Sequence, residues 1–98
     1  MTVPIRFNAA AERDLADIAV YTEGQWGAEQ AKAYLIAIAD AVDRIAAFAN
    51  IGSPIEDVRG GYRKLRVESH NIYYRQLGGF VEIVRILHQR ADHLNHLE

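Results

Sequence analysis

Val3, Ile5 and Phe7 alternate with Pro4 and Arg6, the period of two that marks a short strand. Pro4 has no N–H to give to a ladder, so this strand starts, or lies at, a sheet edge. Asn8 then offers a side-chain oxygen to the free amides of a helix beginning near Ala9, and Glu12 and Asp14 sit where the helix dipole favours carboxylates. Ala11, Leu15, Ile18, Ala19, Thr22 and Trp26 recur at steps of three and four and form one stripe. Gly24 and Gly27 lower helix propensity, which predicts an end between them. A second helix is predicted from about Ala28 to Phe48, with Ala31, Leu35, Ile38, Val42, Ile45 and Ala49 on its apolar stripe. Gly52-Ser53-Pro54 prevents continuation, and the short link at Gly27 makes the two helices an antiparallel hairpin.

After a loop from about Asn50 to Gly61 the period becomes two, predicting strands over Tyr62–Glu68, Ile72–Leu77 and Phe80–His88. Gly78-Gly79 reads as a two-residue primed turn. That turn would set Leu77 opposite Phe80, Arg75 opposite Glu82, Tyr74 opposite Ile83, Tyr73 opposite Val84 and Ile72 opposite Arg85. The last strand is apolar on both faces, with Val81, Ile83 and Leu87 on one and Phe80, Val84 and Ile86 on the other, so it belongs inside the sheet. The expectation is an α+β fold: an N-terminal strand, an antiparallel helical hairpin and a three-stranded antiparallel meander. The hairpin would cover one face of a four-stranded antiparallel sheet, packing Leu15, Ile18, Leu35, Ile38, Val42 and Ile45 on Leu65, Ile72, Tyr74, Ile83 and Leu87. The other face is then a groove or a partner site, and Asp92 to Leu97 reads as a polar tail, frayed or one helical turn long.

Ninety-eight residues, half of them hydrophobic and 24% charged, suit one domain over residues 1–98. No run approaches the ~18 apolar residues of a membrane span, and the N-terminus lacks a secretory pattern; with no cysteine present, a cytoplasmic protein is expected. The charge is uneven. Four basic side chains face nine acidic ones through Val58, against seven and four from Arg59 onward. A basic C-terminal half hints at an anionic partner, or is simply a solvated set of strands.

No phosphate-binding glycine loop, nucleophile elbow or Ser/His/Asp arrangement occurs, and no cofactor is expected. His88, His93 and His96 lack the carboxylate spacing of known metal motifs, so no metal is expected either. The meander places Lys64 and Arg66 on one face and Arg63 with Leu65 and Val67 on the other. Arginines beside a His or Tyr are the minimum kit for metal-free RNA cleavage, but basic strands are common without it.

The order of these elements, with Tyr21 and Trp26-Gly27 at the helix junction, Gly61-Tyr62-Arg63, His70-Asn71-Ile72-Tyr73-Tyr74-Arg75 and Val81 to His88, resembles the ParE toxins of type II toxin–antitoxin modules, within the RelE/ParE superfamily. The resemblance covers roughly Val3 to Asp92. It implies a toxin that inhibits DNA gyrase by binding, is neutralised by a ParD-like antitoxin, and meets operator DNA only through that antitoxin. Arg63, Arg66, Arg85 and Arg90 are the expected target-binding residues. The RelE branch, which cuts mRNA on the ribosome, implies instead a catalytic Arg90 and His96. Asn71 stands where that branch has an arginine, and Ile51 to Val58 contains no lysine, which disfavours it. A non-toxic regulatory binding module is the third reading.

Overall fold

A computed structural model describes residues 2–97. Strand β1 (Ile5–Phe7) leads into helix α1 (Ala9–Trp26), α2 (Ala28–Ala47), a two-residue strand β2 (Ser53–Pro54), then β3 (Tyr62–Val67), β4 (His70–Leu77), β5 (Phe80–His88) and a 3-10 turn at His93–Asn95. Asn8 caps α1 as its sequence position asks, accepting the Ala11 N–H at 2.9 Å. Gly27 alone joins the helices, and its φ of 92° is the left-handed backbone that glycine adopts without strain.

The sheet has five strands in the order β1-β5-β4-β3-β2. Strand β5 is interior and β1 lies at an edge, as expected, but β1 runs parallel to β5, so the sheet is mixed rather than wholly antiparallel. A helical hairpin brings the chain back to its starting end, which makes the parallel pairing a consequence of the even number of helices. The additional strand β2 pairs with Arg63 and Lys64. It ends at the Pro54 that periodicity alone placed in a loop, and an edge is where a proline lacking its N–H fits.

The β4–β5 register is the expected one from Leu77↔Phe80 to Tyr74↔Ile83, then shifts: Tyr73 faces Arg85 and Ile72 faces Ile86. Val84 is the extra residue of a β-bulge. Beyond it the alternation inverts, so Ile86 joins Val81 and Ile83 against the helices while Leu87 turns to the opposite face. The sequence-based assignment of Leu87 to the helix side is therefore corrected. The Gly78-Gly79 turn also differs, because only Gly79 has positive φ (83°), whereas a type I′ turn requires it at both positions.

Between helices and sheet lies the larger core, Ile18, Ile38, Val42 and Ile45 on Ile72, Tyr74, Ile83 and Ile86. Leu15 and Leu35 pack at its margin, and Trp26, expected on the α1 stripe, is 69% exposed because the helix outruns the sheet. The Tyr74 hydroxyl, fully buried, donates to the Ala49 carbonyl and accepts the Gly52 N–H, both at 2.8 Å. A Cβ on Gly52 would stand 2.6 Å from that hydroxyl and 2.8 Å from the Lys64 carbonyl, so the position admits only glycine.

Candidate interaction surface

The second sheet face has an apolar floor of Tyr62, Tyr73, Val84 and Leu87. The chain itself covers it: Ile55 and Val58 fold over from the β2–β3 loop, and Ala91 and Leu97 from the C-terminal segment. Leu97 is only 3% exposed, so the tail is docked rather than frayed. Asp92 caps the 3-10 turn by accepting the Leu94 N–H at 3.0 Å, while the His93 ring lies against Tyr73 and its Nε2 stands 3.1 Å from an Asp57 carboxylate oxygen. What apolar alternation suggested as an open groove is thus largely filled from within. Burial also pushes the Tyr73 phenol above its ordinary range, leaving it a neutral hydroxyl.

Around this floor stand the basic residues of the meander. Arg75 pairs with Glu82 at 2.9 Å, as the turn register predicted, and lies over the Tyr62 ring at 5.2 Å. Arg66 donates through Nε to the Glu68 carbonyl at 2.6 Å and through Nη2 to the Gln89 side chain. Arg63 projects to the helix side, where its Nη1 donates to the Gly52 carbonyl at 2.6 Å and more distantly to that of Asn50. There it pins the loop leaving α2, a structural role that its charge did not reveal.

Arg85 is held still more firmly. Its Nε and Nη2 donate to the two oxygens of Asp14 at 2.8 and 2.9 Å, and Asp14 also accepts the Ile86 N–H at 2.9 Å. Strand β1 pairs with β5 only from Val81 to Ile83, so the next stretch of β5 edge has no strand beside it. Asp14, from the second turn of α1, takes over as acceptor there and satisfies a backbone amide that would otherwise lack a partner. Its hydrogen bonds hold the Arg85 guanidinium above the ordinary arginine pKa. The Val84 bulge is what re-aims Arg85 toward this carboxylate.

His96 is exposed on the docked tail, with Nδ1 3.4 Å from Arg85 Nη1. Arg90 is exposed just beyond β5; its N–H reaches His88 Nδ1 at 3.2 Å, and its guanidinium makes no hydrogen bond or ion pair among the described residues. The four arginines singled out from sequence are therefore distributed: Arg63 and Arg85 bind the fold together, Arg66 is tethered at the β3–β4 turn, and Arg90 is open. Asp14, Asp57 and Tyr73 were missed by sequence reasoning. Only Asp14 carried a signal, its place in the first turns of α1.

A sequence profile described as "ParE toxin of type II toxin-antitoxin system, parDE" matches residues 5–93. The chain belongs to the ParE toxin family. It is 44% identical over 84 residues to "Toxin ParE1" of Mycobacterium tuberculosis, covering 85% of this chain and 86% of that one. "Toxin ParE1" of Caulobacter vibrioides is 40% identical over 94 residues, 96% and 97% of the two chains. Among solved structures, a chain of the "Chromosomal ParDE TA system from P. aeruginosa" superposes with a TM-score of 0.77 at 24% identity, covering 89% of this chain and 96% of that chain. A chain of the toxin–antitoxin complex RelBE2 from Mycobacterium tuberculosis does so with 0.56 at 21%, covering 90% and 99%. At those identities the two structures attest the fold. No helix among the described residues of this ParE-family chain is long and apolar enough to cross a membrane.

Proposed function

We propose that this ParE-family toxin acts in the bacterial cytoplasm by binding DNA gyrase, without catalysis of its own, and is held inactive by a ParD-like antitoxin that also makes the operator contacts. The match to the ParE profile over residues 5–93 carries the reading. Metal-free RNA cleavage needs a proton-transfer group and free cations fixed around one phosphate. Of the side chains with that chemistry, Arg85 is engaged by Asp14, Arg75 by Glu82 and His93 by Asp57, and the exposed His96 stands beside the already paired Arg85. A docking surface needs only presented side chains, and Arg66 and Arg90 at the open end of the sheet are the ones we assign to target contact. Val20, Ile36 and Phe48, at 74%, 50% and 70% exposure, support a protein partner for the helical side. The solved relatives named for ParDE and RelBE2 complexes support an antitoxin as that partner.

The test is induction of the chain alone and together with the gene encoded beside it. Growth arrest relieved by a co-purifying small protein is expected. Unimpaired growth at full expression would contradict the toxin assignment for this copy.

A further inference from the structure

At the end of the molecule where α1 overruns the sheet, the helix junction and the β3–β4 turn enclose an open cavity of about 410 Å³. Its walls are Tyr21 and Trp26 of α1, Tyr34 of α2, Glu68 of the turn, His70 of β4 and His88 of β5. Asp17 lines the adjoining hollow, which shares Tyr21 and both histidines, and neither hollow is lined by a lysine or an arginine. Tyr21 and Trp26 are 66% and 69% exposed, an unusual display of aromatic surface for side chains that fold stability alone would bury.

Local bonding fixes the inner wall. The Tyr34 hydroxyl accepts the Ser69 N–H at 3.0 Å and shares a hydrogen bond with His70 Nδ1 at 2.6 Å, which holds the imidazole ring in place. The His88 ring lies edge-on to His70 at 5.5 Å. Burial, with His88 close by and Asp14 opposing, holds His70 below the ordinary imidazole range and so favours its neutral form.

Glu68 provides a second, independent observation. The β3–β4 connection is a two-residue turn between the paired residues Val67 and His70, and Glu68 at its first central position has a φ of 53°. Among the non-glycine residues described, it alone has positive φ. Such a turn favours glycine there, so a glutamate is strained without any structural return from its side chain. Glu68 lines the aromatic pocket, and its side chain makes no hydrogen bond or ion pair among the described residues.

We propose that this pocket receives an arginine side chain presented by a partner protein. Aromatic faces carry negative electrostatic potential, and a guanidinium, weakly hydrated and planar, stacks on them while donating hydrogen bonds to a carboxylate at the rim. The aromatic walls, Glu68 and Asp17 supply both halves of that recognition, and no lysine or arginine in the lining opposes it.

Trp26 is the only tryptophan of the chain, so its fluorescence reports on this pocket directly. The full-length protein is titrated with N-acetyl-arginine amide, its neutral isostere N-acetyl-citrulline amide, and spermidine, with the amide shifts of Glu68 and His70 followed in parallel by NMR. A saturable response to the arginine derivative is expected, with the citrulline derivative at least about tenfold weaker and Glu68→Gln weakening arginine at least about fivefold. Glu68→Gly is expected to raise the thermal midpoint by relieving the turn, yet lose the response. Equal binding of citrulline, spermidine bound as tightly as arginine, full binding by Glu68→Gly, or no saturable change in either readout would each overturn the proposal.

Discussion

Replacing Asp14 with alanine removes three hydrogen bonds to a charged acceptor at once, two from Arg85 and one from the Ile86 amide. The carboxylate and guanidinium side chains are 12% and 23% exposed, sheltered enough that water does not fully replace the lost partner. Hydrogen bonds to charged groups are worth ~1.5–3 kcal/mol each but are not additive within one cluster, and a stranded, partly buried cation adds its own cost. We expect Asp14→Ala to destabilise by about 3 kcal/mol, lowering the thermal midpoint by roughly 12 °C or more in a chain of this size. Arg85→Met, which leaves Asp14 to accept the Ile86 N–H, should cost about half as much. The double variant should cost less than the sum of the two by ~1 kcal/mol or more, the signature of direct coupling. Urea unfolding gives these values, and hydrogen exchange at Ile86 should accelerate in Asp14→Ala but not in Arg85→Met. An Asp14→Ala cost below about 0.5 kcal/mol, or strictly additive variants, would refute the claim that this carboxylate replaces the missing end of β1.

Leu97→Ala should cost about 2 kcal/mol and expose Tyr73 to solvent, read by denaturant unfolding and tyrosine accessibility, because Leu97 closes the second core at 3% exposure; a neutral result would mean that the tail does not dock. Gly52→Ala should cost about 2 kcal/mol or more, and somewhat less in a Tyr74→Phe background, where the 2.6 Å clash with the hydroxyl is gone while those with Tyr74 Cε1 and the Lys64 carbonyl, both at 2.8 Å, remain, a comparison made by thermal melts. His70 has a pKa lowered first by burial and then by His88, so the folded chain binds fewer protons than the unfolded one at mildly acid pH. Stability should therefore hold above about pH 6.5 and fall as the pH drops through the folded value, with a shallower fall in His70→Gln across a pH series of melts. An unchanged slope would exclude His70 as the source.

Where local rules act alone, the fold was legible. Asn8 as cap, Gly27 as junction, the β5 limits and the Arg75–Glu82 pair all follow from backbone geometry over a few residues. The Val84 bulge escaped because Val84, Ile86 and Leu87 are all apolar, so either alternation buries hydrophobic surface and hydropathy cannot choose between them. The parallel partner of β1 and the docking of the tail depend on contacts between distant parts of the chain, such as Asp57 with His93. The arginines show the same limit at the candidate surface. Their number and strand positions are visible in the sequence, but whether each is free depends on partners such as Asp14, 71 residues from Arg85, or the carbonyl of Gly52 near Arg63.

Action on gyrase by binding is tested most directly by incubating the purified protein with gyrase, supercoiled DNA and ATP, and in parallel with translating ribosomes and mRNA. The account predicts that cleaved DNA trapped on gyrase accumulates with added protein, is reduced in Arg66→Ala or Arg90→Ala, and is unaffected by His96→Ala, while the mRNA stays intact. Translation-dependent mRNA cleavage that is lost in Arg90→Ala or His96→Ala, with gyrase untouched, would contradict it.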